Sequence, residues 1–167
     1  MDIRNATEAD LPAILAITND AILNTTSSWN VHPTTLEARR QWLAERQAAG
    51  LPVLVGVIGG DVAGFGSYGS FRAWDGYRLT VEHSIYVDAA FRRRGVGRLL
   101  LAGLIEHATE AGMHVMMGVI SADNEISIAL HEQFGFTVAG RLAEVGRKFD
   151  RWLDLVLMQK MLAQLAD

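Results

Sequence analysis

Two apolar runs, Val53–Ile58 and Val62–Tyr68, are separated only by Gly59-Gly60-Asp61. Strand-length runs joined by so short a Gly-rich connection read as a β-hairpin, because glycine turns the chain through positive φ without steric cost. A hairpin commits the chain to an antiparallel sheet, and the remaining sequence must supply its cover. Ile3–Ala6 reads as a short strand ahead of it. Leu11, Ile14, Leu15, Thr18 and Ile22 recur at helical spacing, with Thr7 and Asp10 before them as a variant capping box. Asn24–Pro33 is polar and Ser/Thr-rich, hence a loop, with Trp29 inside it. Leu36–Ala48 reads as a second helix closed by Gly50.

Beyond the hairpin, Arg78–Val87 is a third long strand. Gly95–Ala111 is a helix with Val96, Leu99, Leu100, Leu104 and Ala108 on one face and Gly112 at its end. Val115–Ile120 reads as a buried strand, Asn124–Phe134 as a helix ending at Gly135, and Phe136–Ala139 with Trp152–Met158 as a last pair of strands. The order β-α-α-β-β-β-α-β-α-β-β predicts an α/β (α+β) sandwich with a mixed, mostly antiparallel sheet. No linker or repeat interrupts it, so residues 1–167 read as a single domain.

Composition narrows the function. The formal net charge is −4, which does not suit a protein that coats nucleic acid, although local basic clusters can still hold a small polyanion. With no cysteine, disulfides, thiolate catalysis and zinc-thiolate sites are excluded. The charged start MDIRNATEADL does not resemble a signal peptide, and no apolar run reaches the roughly 18 residues of a membrane span. The expectation is a cytoplasmic protein with no membrane partner.

The chemical signal is Arg92-Arg93-Arg94-Gly95-Val96-Gly97, lying between a strand and a helix. The first amides of a helix lack internal partners and sit at the positive end of its dipole. A diphosphate can lie across the amides of Arg93 to Arg98, with guanidinium groups adding charge. A solvated turn would have the same composition. A dinucleotide fingerprint would need a third glycine where Leu100 stands.

Arg92-x-x-Gly95-x-Gly97 resembles the pyrophosphate motif of the GNAT acetyltransferases. Ile85-Tyr86-Val87 looks like that family's fourth strand, and Asn124, Ser127, Leu130 and Phe134-Gly135-Phe136 look like its following helix. The resemblance implies a GNAT-like sheet flanked by helices on both faces, and acetyl-CoA as co-substrate. It also implies a cofactor site at Ile85, Tyr86, Val87, Arg92, Arg93, Arg94, Gly95, Val96, Gly97, Arg98, Asn124 and Ser127. Arg93 stands where many members carry glycine. Asn24-Thr25-Thr26, Trp29-Asn30, Ser67-Tyr68-Gly69, Thr80-Val81-Glu82-His83-Ser84 and Lys148–Leu155 resemble, more narrowly, the phosphinothricin and methionine sulfoximine acetyltransferases. That likeness implies a small amino-acid acceptor and a homodimer. It also implies His131 where many members place a tyrosine acid. Gly146-Arg147-Lys148 departs slightly from the subgroup loop.

Acetyl transfer to an amine needs a neutral amine, a stabilised oxyanion and a thiolate that can leave. Only about a tenth of an α-amino group is neutral at pH 7. Glu82, an acid within a strand-like segment, is the expected base, although it could instead pair with Arg72 or Arg78. His83 points to the opposite strand face by alternation and ranks below it. A metal site at Glu82, His83 and His131 lacks ligand spacing, so no metal is expected. Arg72 is the preferred carboxylate clamp, ahead of Arg78. The expected substrate set is Trp29, Arg72, Ala73, Trp74, Arg78, Glu82, His83 and Ser84. Rival readings are a GNAT enzyme for peptide N-termini or polyamines, and a non-catalytic acyl-CoA-binding module.

Overall fold

The computed structural model describes residues 1–162. Seven strands form one sheet, β1 (Asp2–Asn5), β2 (Val53–Ile58), β3 (Asp61–Ser70), β4 (Thr80–Val87), β5 (Val115–Ser121), β6 (Thr137–Lys148) and β7 (Arg151–Met161). Their spatial order is β1-β2-β3-β4-β5-β7-β6, and β4–β5 is the parallel pair in an otherwise antiparallel ladder. Helices α1 (Leu11–Asn24) and α2 (Leu36–Ala48) cover one face, and α3 (Val96–Glu110) and α4 (Glu125–Gln133) the other.

Alternation along the strands divides the core into two layers. Leu11, Ile14, Ile17 and Leu43 from α1 and α2 meet Val53, Val55 and Phe65. Across the sheet, Leu101, Leu104 and Ala108 of α3 meet Val81, Met116, Val156 and Met158. The buried face of α3 therefore includes Leu101, whereas Leu99, expected inside, is 39% exposed. Asp10 accepts hydrogen bonds from the Thr7 amide at 2.8 Å and the Arg4 guanidinium at 2.7 Å, which tie β1 to the start of α1 and hold its carboxyl down at about 2.

Two departures from the sequence reading bear on the site. Strand β4 starts at Thr80, because a single helical turn, Asp75–Tyr77, takes Arg78 out of the ladder. Strand β6 extends to Lys148, far beyond Ala139, although its register against β7 breaks at Val138/Gly140 and Leu142/Gly146. The second break holds Glu144 at φ +52°, with its amide donating to Asp154 Oδ1 at 2.8 Å.

The feature that creates a site is a fork. β4 and β5 pair from Thr80↔Val115 to His83↔Gly118 and then part. Beyond that point each keeps only its outer neighbour, β4 with β3 as far as Val87 and β5 with β7 as far as Ser121. One backbone edge of β4 from Ser84 to Val87 is thus left for something other than a strand.

Candidate active site

A cavity of about 490 Å³ opens at this fork and passes through the sheet. Glu82, Ser84 and Tyr86 line it from the α1/α2 face, and His83 and Ile85 from the other. Asn124, Ser127 and His131 of the α4 segment and Trp29 of the α1–α2 loop complete the wall.

Glu82 is half-buried, and burial raises its carboxyl pKa above the usual range while Arg72 pulls it back. Arg72 Nη1 stands 3.7 Å from Glu82 Oε2 and donates to the Phe71 carbonyl at 2.7 Å. The ion pair weighed from sequence thus forms, at a loose distance that leaves both groups accessible. Of the expected arginines, Arg72 stands beside the cavity through its contact with Glu82, although its own side chain does not line it. Ala73, Trp74 and Arg78 are exposed and do not line it, Trp74 with 79% of its surface in solvent. The Asp75–Tyr77 turn, with Tyr77 packed on Phe71 at 5.8 Å, carries them outward.

His83 is buried on the opposite face, as alternation predicts, and so is no direct substrate ligand on the Glu82 side. Its Nε2 lies 3.0 Å from His131 Nε2, and His131 Nδ1 lies 2.6 Å from the Ser127 carbonyl. A carbonyl only accepts, so neutral His131 carries its proton on Nδ1 and takes one from His83 through Nε2. Burial lowers the pKa of both rings, His83 to about 3, which keeps them neutral at pH 7. Both nitrogens of His131 are therefore engaged, and the ring has no free N–H for a departing thiolate. A direct acid role for His131 therefore requires one of these two contacts to open. The pair packs over Gly118, where a Cβ would stand 3.1 Å from His131 Cδ2.

The arginine-glycine loop has the backbone a diphosphate requires. Gly95 takes φ +82° and Arg93 takes φ +62° at the position where glycine would be expected. The first α3 bond runs from Leu99 N–H to the Gly95 carbonyl at 3.1 Å, so the amides of Val96, Gly97 and Arg98 precede the helical ladder. Arg92, Arg93, Arg94 and Arg98 are exposed, Arg94 over the Phe91 ring and Arg98 donating to Gln133 Oε1 at 2.8 Å. Val96 offers only its amide, since its side chain is in the core. Asn124 caps α4, accepting from Ser127 N–H at 3.1 Å. The free edge Ser84–Val87 leads from the fork toward the start of α3, as an amide-bearing chain ending in a diphosphate requires.

A positioning element escaped the sequence reading. The buried Lys148 ammonium donates to the Thr25 carbonyl at 2.6 Å and to the Ser28 carbonyl. The Trp29 ring lies on Gly146, in space that a Cβ there would occupy. Thr26 donates to Asp123, which also pairs with Arg151. The β6–β7 hairpin thus seats the loop that walls the cavity. The Lys148 motif was visible in sequence, but its partners lie more than a hundred residues away.

The pattern of the acetyltransferase (GNAT) family matches residues 14–136. This chain belongs to the GNAT acetyltransferase family. It is similar to an L-methionine sulfoximine/L-methionine sulfone acetyltransferase of Pseudomonas paraeruginosa, 49% identical over 94% of this chain and 92% of that one. A phosphinothricin N-acetyltransferase of Alcaligenes faecalis is 37% identical over 96% of this chain and 82% of its own. Among solved structures, a ribosomal-protein-alanine N-acetyltransferase from Brucella melitensis superposes with TM-score 0.95 at 52% identity, covering 97% of this chain and 100% of that one. The Salmonella typhimurium acetyltransferase yncA, solved with its cofactor acetyl-CoA, superposes with TM-score 0.96 at 46% identity, covering 100% of this chain and 96% of its own. The chain is an acetyl-CoA-dependent N-acetyltransferase, with acetyl-CoA as co-substrate.

Proposed function

We propose that this enzyme acetylates the α-amino group of a small free amino acid or analogue, such as methionine sulfoximine, methionine sulfone or phosphinothricin, with Glu82 as general base. The observation that carries the reading is the half-buried Glu82 on the cavity wall with Arg72 at 3.7 Å. In an α-amino acid the amine and carboxylate share one carbon, so a base and a guanidinium must stand side by side to take both. Glu82 removes the amine proton, Arg72 holds the carboxylate, and Trp29 and Ser84 bound the acceptor. Ile85, Tyr86 and Val87 offer backbone to the pantetheine, and the Arg92–Arg98 loop with Asn124 and Ser127 holds the remainder. The departing thiolate takes its proton from water. The names of the relatives acting on methionine sulfoximine and phosphinothricin agree with this acceptor class.

The ribosomal-protein relative favours a second reading, a peptide N-terminus as acceptor. A peptide has an amide where Arg72 requires a carboxylate. Thiol release measured with free amino acids, their amides, polyamines and alanine-initiated peptides separates the two. Turnover confined to free α-carboxylates supports the proposal, and equal turnover of amides and peptides defeats it.

The proposal includes a homodimer. The apolar run Trp152–Met158 is the expected interface strand, but Leu153, Val156 and Met158 within it are buried inside the subunit. Leu142, Val145 and Trp152 are instead 43%, 50% and 59% exposed on the terminal strands of the sheet. Exposed apolar side chains on and beside the edge strand β6 suit a second copy.

A further inference from the structure

A second cavity of about 350 Å³ lies on the α1/α2 face and shares Ser28, Asn30, Ser84 and Tyr86 with the first. Arg39 and Arg46 of α2 line it, and no aspartate or glutamate does. They differ from their neighbour Arg40, which pairs with Glu37 at 2.7 Å. Neither Arg39 nor Arg46 has a carboxylate within ion-pair distance among the described residues, and Glu45 is itself engaged by Gln41. Arg39 stacks over Trp42 at 4.8 Å, and its Nε is buried with no hydrogen-bond partner. Arg46 donates to the Tyr68 carbonyl above Gly69, where a side chain would collide with it. Gly69 pairs with Glu82 in the β3–β4 register, so the Arg46 guanidinium lies over the sheet next to the strand position of Glu82.

Half-buried guanidinium groups are costly without an anionic or strongly accepting partner. Burial lowers the pKa of both. The α-carboxylate of an acceptor cannot fill this space while its amine is at Glu82, because the two groups sit on one carbon and Arg72 is already there. A separate chamber reached past Ser84 and Tyr86 suits the far end of the same molecule.

We infer that Arg39 and Arg46 form a subsite for an oxygen-bearing head at the end of the acceptor side chain, a sulfonyl, sulfoximine or phosphinate group. Two oxygens on a tetrahedral sulfur or phosphorus match the forked donors of a guanidinium. The chamber has room for such a head and the carbons leading to it. The subsite selects acceptors by side chain, whereas Glu82 and Arg72 read the amino-acid end.

The inference rests on the proposed acceptor class, and the test keeps the two apart. Steady-state kinetics would compare methionine sulfone, phosphinothricin and methionine, which has no head oxygens, in wild type, Arg39→Met and Arg39→Lys. Arg39→Met is expected to raise KM at least tenfold for the two oxygen-bearing acceptors and less than twofold for methionine and acetyl-CoA. Arg39→Lys, which keeps charge but not the fork, should fall between. A KM increase equal for all three acceptors, or none for any, overturns the inference. Thermal unfolding with inorganic sulfate against chloride at matched ionic strength needs no turnover. Sulfate, which also stabilises folded chains in general and can occupy the Arg92–Arg98 loop, should raise Tm more in wild type than in Arg39→Met, whatever the physiological acceptor, and an equal sulfate shift in both proteins also overturns it.

Discussion

Lys148 offers a quantitative test of how the cavity wall is held. Its ammonium is buried among loop carbonyls, donating to Thr25 and Ser28, and Ser28 is itself buried. Lys148→Met keeps the length of the stem and removes both donors. Hydrogen bonds to a charged group contribute about 1.5–3 kcal/mol each, so the gross loss is about 3–6 kcal/mol. Relief from burying the ammonium, and water reaching the half-exposed Thr25 end, offset part of it. A net cost of about 2–3 kcal/mol remains, a fall in Tm of roughly 4–12 °C for a chain of this size. Because Trp29 follows Ser28 directly, the acceptor KM should rise several-fold while the acetyl-CoA KM holds, the loop being remote from the Arg92–Gly97 amides. Thermal unfolding and two-substrate kinetics measure both. A variant within 1 °C of wild type with unchanged acceptor KM would refute the reasoning that this ammonium seats the loop.

Acetyl-CoA should raise Tm, by about 2.7 kcal/mol of stabilisation at a hundred times Kd. Gly97→Asp should abolish that shift, since a Cβ there meets Leu130 and Val87 only at an ordinary 3.6 Å and the added carboxylate acts on the diphosphate alone. The histidine pair predicts acid sensitivity: with folded pKa values below the unfolded 6.5, the unfolded state binds more protons as pH falls. Each ring then costs up to about 1.4 kcal/mol per pH unit below 6.5, continuing toward about 3 for His83, and urea unfolding between pH 7 and 5 should show a shallower slope in His83→Gln. Light scattering at micromolar concentration should report twice the 18.3 kDa chain mass, and a monomer defeats the dimer.

Much of the fold was legible because helical periodicity and end signals coincide, as at Gly50 after α2 and Gly112 beyond α3. Strand β6 was not, since Gly140, Glu144 and Gly146 interrupt its alternation exactly where its register breaks. The β6–β7 turn gave no signal either, because Phe149 and Asp150 take φ +52° and +57° without a glycine. At the site, Glu82 and the Arg92–Gly97 loop were visible as local motifs. Trp74 was misplaced because one helical turn redirects its segment. The His83–His131 contact and the unpaired Arg39 could not be read at all, since each depends on what stands opposite across the fold, and residue type alone is silent on that.

The central claim is that Glu82 takes the proton from the α-amino group. Thiol release with methionine sulfone, followed from pH 6 to 9 in wild type and Glu82→Gln, tests it most directly. The amide keeps the shape of the side chain and cannot accept the proton, so kcat at pH 7 should fall about 10²–10⁴-fold with acetyl-CoA affinity unchanged. The deficit should narrow toward pH 9, where most of the amine is already neutral. A Glu82→Gln enzyme with near-normal kcat at pH 7, or a deficit independent of pH, would contradict it.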